Sequence, residues 1–75
     1  MVGKASNKGE TVLLRQSADS LYRVMYVGGD DHGPLVAEAI LGKEAAIKTY
    51  LQVAEWVLTN RYTPKERAEF VRKLG

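Results

Sequence analysis

KEAAIKTYLQVAEWVLTN, residues 43–60, is the stretch whose reading decides the fold. It contains neither proline nor glycine. Ile47, Tyr50, Leu51, Ala54, Val57 and Leu58 recur at the i, i+3, i+4, i+7 spacing of one helical face. Lys43, Glu44, Lys48, Gln52 and Glu55 fall away from it. The spacing predicts an amphipathic helix that needs a sheet or a second helix to bury its stripe.

The preceding residues supply a sheet. Thr11 to Gln16 (TVLLRQ) and Leu21 to Val27 (LYRVMYV) are short, apolar and rich in β-branched or aromatic residues, and the turn-type cluster Ser17-Ala18-Asp19-Ser20 joins them. They read as a β-hairpin. Gly28 to Pro34 holds three glycines and a proline and reads as a loop. Leu35 to Leu41 (LVAEAIL), bounded by Pro34 and Gly42, has strand length and predicts a third strand.

Beyond the long helix, Arg61-Tyr62 is a short link. Thr63-Pro64-Lys65-Glu66 has the form of a capping box, with Thr63 as N-cap, Pro64 at the first helical position and Glu66 three residues after the cap. A second helix is expected from there to Leu74, with Arg67, Val71 and Leu74 on one side. Arg72 and Lys73 lie in its last turn, where cations suit the helix dipole.

The expected fold is therefore α+β, a three-stranded antiparallel meander followed by two helices (β-β-β-α-α), with the long helix packed on one sheet face. Residues 1–9 (MVGKASNKG) have no apolar period and read as a flexible arm, leaving residues 10–75 as a single small domain. Strand alternation places Val12, Leu14, Tyr22, Val24, Tyr26, Ala37 and Ala39 under the helix. The opposite face then carries Leu13, Arg15, Leu21, Arg23, Met25, Val36, Glu38 and Ile40. A register slip of one residue exchanges the two sets.

At 75 residues the chain is near the lower limit for a self-sufficient core, and it has no cysteine to staple one. The net charge of +2 is unevenly spread: residues 61–75 carry five basic and two acidic side chains, residues 11–60 four basic and six acidic. No signal peptide and no apolar run approaching the roughly 20 residues of a membrane span is visible, so the expectation is a soluble, cytoplasmic protein without membrane contact.

Three surfaces are candidates for function. The outer sheet face mixes Leu13, Met25, Val36 and Ile40 with Arg15 and Arg23, an apolar patch rimmed by charge of the kind found at protein interfaces. Trp56 lies about 160° from the centre of the helical stripe, at 100° per residue. It is either offered to a partner or covered by the second helix through Phe70 or Val71. Arg61, Lys65, Arg72 and Lys73, or Arg15 and Arg23 on the sheet, are the groups that would contact nucleic acid.

Asp30-Asp31-His32 is the only His-carboxylate grouping. The three are consecutive, so their side chains diverge, and no further His or Cys completes a metal site. The Gly-Gly of the same loop is not followed by the residues of a phosphate loop. No nucleophile–base spacing is present, and no cofactor or catalytic residue is expected.

The sequence thus favours a small non-enzymatic binding module acting through contact with a protein partner, a second copy of itself included. DNA or RNA binding is the alternative. In size and general profile it is similar to accessory regulators and phage-encoded inhibitors of larger host proteins.

Overall fold

In the computed structural model, which describes residues 2–28 and 35–75, four antiparallel strands precede two helices. They are β1 (Gly3–Asn7), β2 (Glu10–Ala18), β3 (Leu21–Gly28), β4 (Leu35–Gly42), α1 (Lys43–Leu58) and α2 (Pro64–Leu74). The sheet order is β1-β2-β3-β4. The α+β class and the meander are as expected, with one correction: the sheet has four strands, because residues 3–7 of the anticipated arm form an edge strand.

β1 reads GKASN and has no β-branched or aromatic residue, so nothing local favours a strand. The turn and the partners make it one. Lys8 (φ +51°) and Gly9 (φ +79°) form a two-residue connection with both residues left-handed, the backbone sense of a type I′ hairpin. This sets Asn7 opposite Glu10 and Gly3 opposite Leu14. Above β1, the Tyr50 ring lies 2.9 Å from where a Cβ on Gly3 would stand, so the small residue admits the ring. The Asn7 amide donates to the carbonyls of Val57 (3.0 Å) and Leu58 (3.3 Å) at the end of α1, where the helix leaves acceptors without an intrahelical partner.

Strand register follows the expected alternation. Val12 faces Tyr26 and Tyr26 faces Ala37; on the other side of the sheet Leu13 faces Met25 and Met25 faces Glu38. Val12, Leu14, Val24, Tyr26, Ala37 and Ala39 bury against both helices. β2 and β3 meet through a tighter turn than the sequence suggests, Asp19-Ser20, next to a bulge between Gln16 and Ala18. A second bulge, at Val36, interrupts the β3–β4 pairing.

α1 differs from expectation in its rotation. The residues it buries are Ala46, Thr49, Val53, Ala54 and Val57. Leu51 and Leu58, assigned to the core from their spacing, are 59% and 57% exposed. The buried arc is turned by about 80° from the most hydrophobic arc, at 100° per residue. The cause is α2, which shares the same sheet face. α1 turns its Trp56 side toward α2, and the ring meets Tyr62 (centroids 4.9 Å apart) and Phe70 (4.8 Å) edge-on. Small residues, Ala46 and Thr49, then line the helix–sheet contact, where close approach matters more than side-chain size.

The helices are joined by a sharp reversal. Arg61 N–H bonds the Trp56 carbonyl (2.7 Å) and Asn60 N–H the Val57 carbonyl (3.2 Å), with Asn60 at φ +55°. This is a Schellman motif with Asn in the left-handed position. The capping box that opens α2 is formed as read from the sequence: Thr63 N–H donates to the Glu66 carboxylate (3.0 Å) and Glu66 N–H to the Thr63 hydroxyl (3.2 Å). That backbone hydrogen bond holds the Glu66 carboxyl below its usual range.

Candidate binding surfaces

Among the described residues, the most heavily hydrogen-bonded polar constellation is buried. Arg67, on α2, is 1% exposed. Its Nη2 donates to both Glu10 oxygens at 2.6 Å, and its Nη1 donates to the carbonyls of Arg61 and Tyr62, also at 2.6 Å. Its Nε reaches Glu10 Oε1 (3.1 Å) and the Tyr26 hydroxyl (3.3 Å), and that hydroxyl donates to Glu10 Oε1. Every guanidinium N–H is thus engaged.

Burial opposes the Arg67 charge, but the hydrogen bonds to Glu10 and Tyr26 outweigh it and raise its pKa. Burial first, and then the Glu10 hydrogen bond, push the Tyr26 phenol up to about 12. The node ties the start of β2, the middle of β3, the interhelical link and α2 together. Its donors are consumed internally, so it builds the fold and offers little to a ligand. Beside it lies an open cleft of about 460 Å³, lined by Glu10, Tyr26, Val36, Lys65, Ala68 and Arg72.

The residues named from the sequence do not form one surface. On the outer sheet face Leu13 (1% exposed) and Met25 (9%) are buried in a small cluster with Val27. Arg15 and Ile40 are exposed, and Arg23 is half-buried. Val36 is exposed at the cleft, where its carbonyl accepts from Arg72 Nη2 at 3.0 Å. Trp56 belongs to the helical layer and is half-buried between Tyr62 and Phe70.

Arg15 and Arg23 stand directly opposite one another on β2 and β3, beside a recess of about 230 Å³ that Gln16 and Ser17 complete. Like charges placed so repel. Among the described residues Glu38 offsets them, its Oε2 lying 3.5 Å from Arg23 Nε.

The basic groups of the C-terminal segment disperse. Lys65 and Arg72 line the cleft, while Arg61 and Lys73 are exposed at the two ends of α2. Asp30, Asp31 and His32 lie outside the described residues. Among the described residues no three carboxylate, His or Cys side chains gather as metal ligands. Nor, among the described residues, is any helix long and apolar enough to cross a membrane.

Sequence reasoning missed the flank of α1. Ile47, half-buried, and the exposed Leu51 and Leu58 fall within about 40° of one another, at 100° per residue. They lie on the side of Tyr50 and away from Trp56. Since Tyr50 covers Gly3 and Trp56 faces α2, this flank stands over β1, at the open edge of the sheet. The signal that finds it is the competing arc Ala46-Thr49-Val53-Trp56, which places the core only once a second helix is known to lie alongside.

Compared with known proteins, the chain matches no family model, no curated protein and no solved structure at significance.

Proposed function

We propose that this chain is a non-catalytic binding module that works through protein–protein contact. The observation that carries the reading is the flank of α1. Leu51 and Leu58 are the two most exposed of its large apolar side chains, on a helix whose core-facing arc is complete without them. They lie beside β1, an edge of the sheet. An apolar stripe next to an open strand edge offers both a desolvation gain and main-chain hydrogen bonds. The role of accessory regulator or inhibitor of a larger protein belongs to the same reading.

The test is a double variant, Leu51→Glu with Leu58→Glu, compared with the parent chain as immobilised bait. A bait that keeps its circular dichroism and thermal midpoint but loses the proteins the parent retains supports the reading. An unfolded variant would make the two leucines part of the core, and an unchanged set of retained proteins would move the contact elsewhere.

A second reading, nucleic-acid binding, is favoured by one observation: the facing Arg15 and Arg23 on the sheet, in excess over Glu38. Phosphate contacts make affinity fall steeply with salt. Gel shifts at low salt that are abolished by Arg15→Ala and Arg23→Ala would support it; no retardation at low salt removes it.

A further inference from the structure

β1 lies at one end of the four-strand order, and among the described residues no strand pairs with its outer side. Natural sheets protect such edges with lysine, proline, bulges or inward-pointing charge, and of these β1 carries one lysine, Lys4. Residues 3–7 contain no proline and pair with β2 without a register shift, and the inward positions Gly3, Ala5 and Asn7 are uncharged. Directly above runs the apolar flank of α1. Ile47, Leu51 and Leu58 are spaced 4 and 7 residues apart, intervals found along a coiled-coil seam.

We propose that this wall takes a second copy of the chain. β1 pairs antiparallel with the β1 of the partner about a twofold axis at Ala5, and the two α1 flanks close above the junction. The inference rests on the protein-contact reading and names its partner.

Three features argue for self-pairing. The first is register. Gly3 lies against the Tyr50 ring and the Asn7 amide bonds the carbonyls of Val57 and Leu58, so a twofold axis at Ala5 falls beside the middle of the Leu51–Leu58 stretch of α1.

The second feature is charge. When Ile47 is set against the partner's Leu58, the seam is flanked on its solvent side by Lys48 and Glu55. In an antiparallel pair these positions meet across the seam, so Lys48 faces the partner's Glu55, twice by symmetry. On the strand, an axis at Ala5 sets Lys4 against the partner's Ser6 and keeps the two lysines from facing each other.

The third feature is area. A standard interface buries roughly 800 Å² per partner. The chain exposes 4539 Å² in a body of 32 × 22 × 18 Å, so one side wall is of the required order.

Sedimentation equilibrium on the full chain tests this. The expected result is twice the 8.3 kDa chain mass, returning to one chain mass in Leu51→Glu with unchanged circular dichroism. Lys48→Glu should weaken the dimer roughly tenfold, and Lys48→Glu with Glu55→Lys should restore it. Because the chain has no cysteine, Ala5→Cys introduces a single thiol at the axis. Paired strands hold facing Cα atoms about 4.5–5.5 Å apart, within disulfide range, so oxidation should yield a covalent dimer.

A single chain mass at 100 µM overturns the inference. So does a dimer that neither cross-links through Ala5→Cys nor responds to the charge exchange. A monomer that still captures another protein through Leu51 overturns self-pairing alone; loss of both overturns the protein-contact reading as well.

Discussion

Glu10→Ala should be among the most damaging single substitutions in this chain. The Arg67 side chain is 1% exposed and that of Glu10 14%, so the pair sits largely out of water. Removing the carboxylate leaves a buried guanidinium with its Nη2 donors unmet, which in comparable sites costs about 3–5 kcal/mol. The two carbonyls of Arg61 and Tyr62 still accept from Nη1, so the lower end, about 3 kcal/mol, is expected. A chain of 75 residues is stabilised by only about 4–11 kcal/mol in all. With a urea slope of about 1 kcal/mol per molar for a protein this small, the midpoint should fall by about 3 M.

The arginine is costly only when its partner is missing. Glu10→Leu with Arg67→Met should therefore lose less than the sum of the two single changes, by about 2 kcal/mol or more. Urea titrations of the parent, both single variants and the double variant, followed by circular dichroism and Trp56 fluorescence, close the cycle. A Glu10→Ala cost below about 1 kcal/mol, or strictly additive single changes, would refute the claim that this node holds the fold.

Other consequences follow from neighbouring groups. The Tyr26 phenol is raised to about 12, so the folded state keeps a proton that the unfolded chain releases near pH 10. That stabilisation is fully present below pH 10 and is lost as pH rises to about 12, amounting to about 3 kcal/mol; urea midpoints across this range should fall in the parent and fall less in Tyr26→Phe. Asn60 is left-handed at φ +55°, so Asn60→Ala should cost about 1 kcal/mol while Asn60→Gly is neutral or mildly stabilising, as thermal midpoints would show. Phe70 packs edge-on against Trp56; Phe70→Ala should shift the tryptophan emission to the red and cost about 1–3 kcal/mol, and an unmoved spectrum would mean that Tyr62 alone shields the indole.

Local chemistry made much of this architecture legible. The capping box at Thr63 works through residues three apart, and it forms as the residues dictate. Strand alternation needs only the period of two, and it sorted Val12, Tyr26 and Ala37 from Leu13, Met25 and Glu38. β1 was not legible, since Gly3-Lys4-Ala5-Ser6-Asn7 has no strand preference of its own. The strand follows from the Lys8-Gly9 turn and from contacts up to 51 residues away, such as the Asn7 amide on the end of α1. Arg67 could be placed on the inward side of α2, but its partner Glu10 lies 57 residues earlier, and no periodicity connects them.

The same division applies to the helix within residues 43–60. Its existence was decided by the chain alone: an uninterrupted helical period, with no proline or glycine to break it. Which face it buries was not, because two arcs of comparable apolar character compete on one cylinder. Packing chose between them. With α2 lying alongside on the same sheet, the arc of Ala46, Thr49, Val53 and Trp56 is enclosed on two sides at once, whereas Leu51 and Leu58 stay outside the core cluster. Leu51 and Leu58 are left at the open edge of the sheet, where they supply the contact surface proposed for this protein.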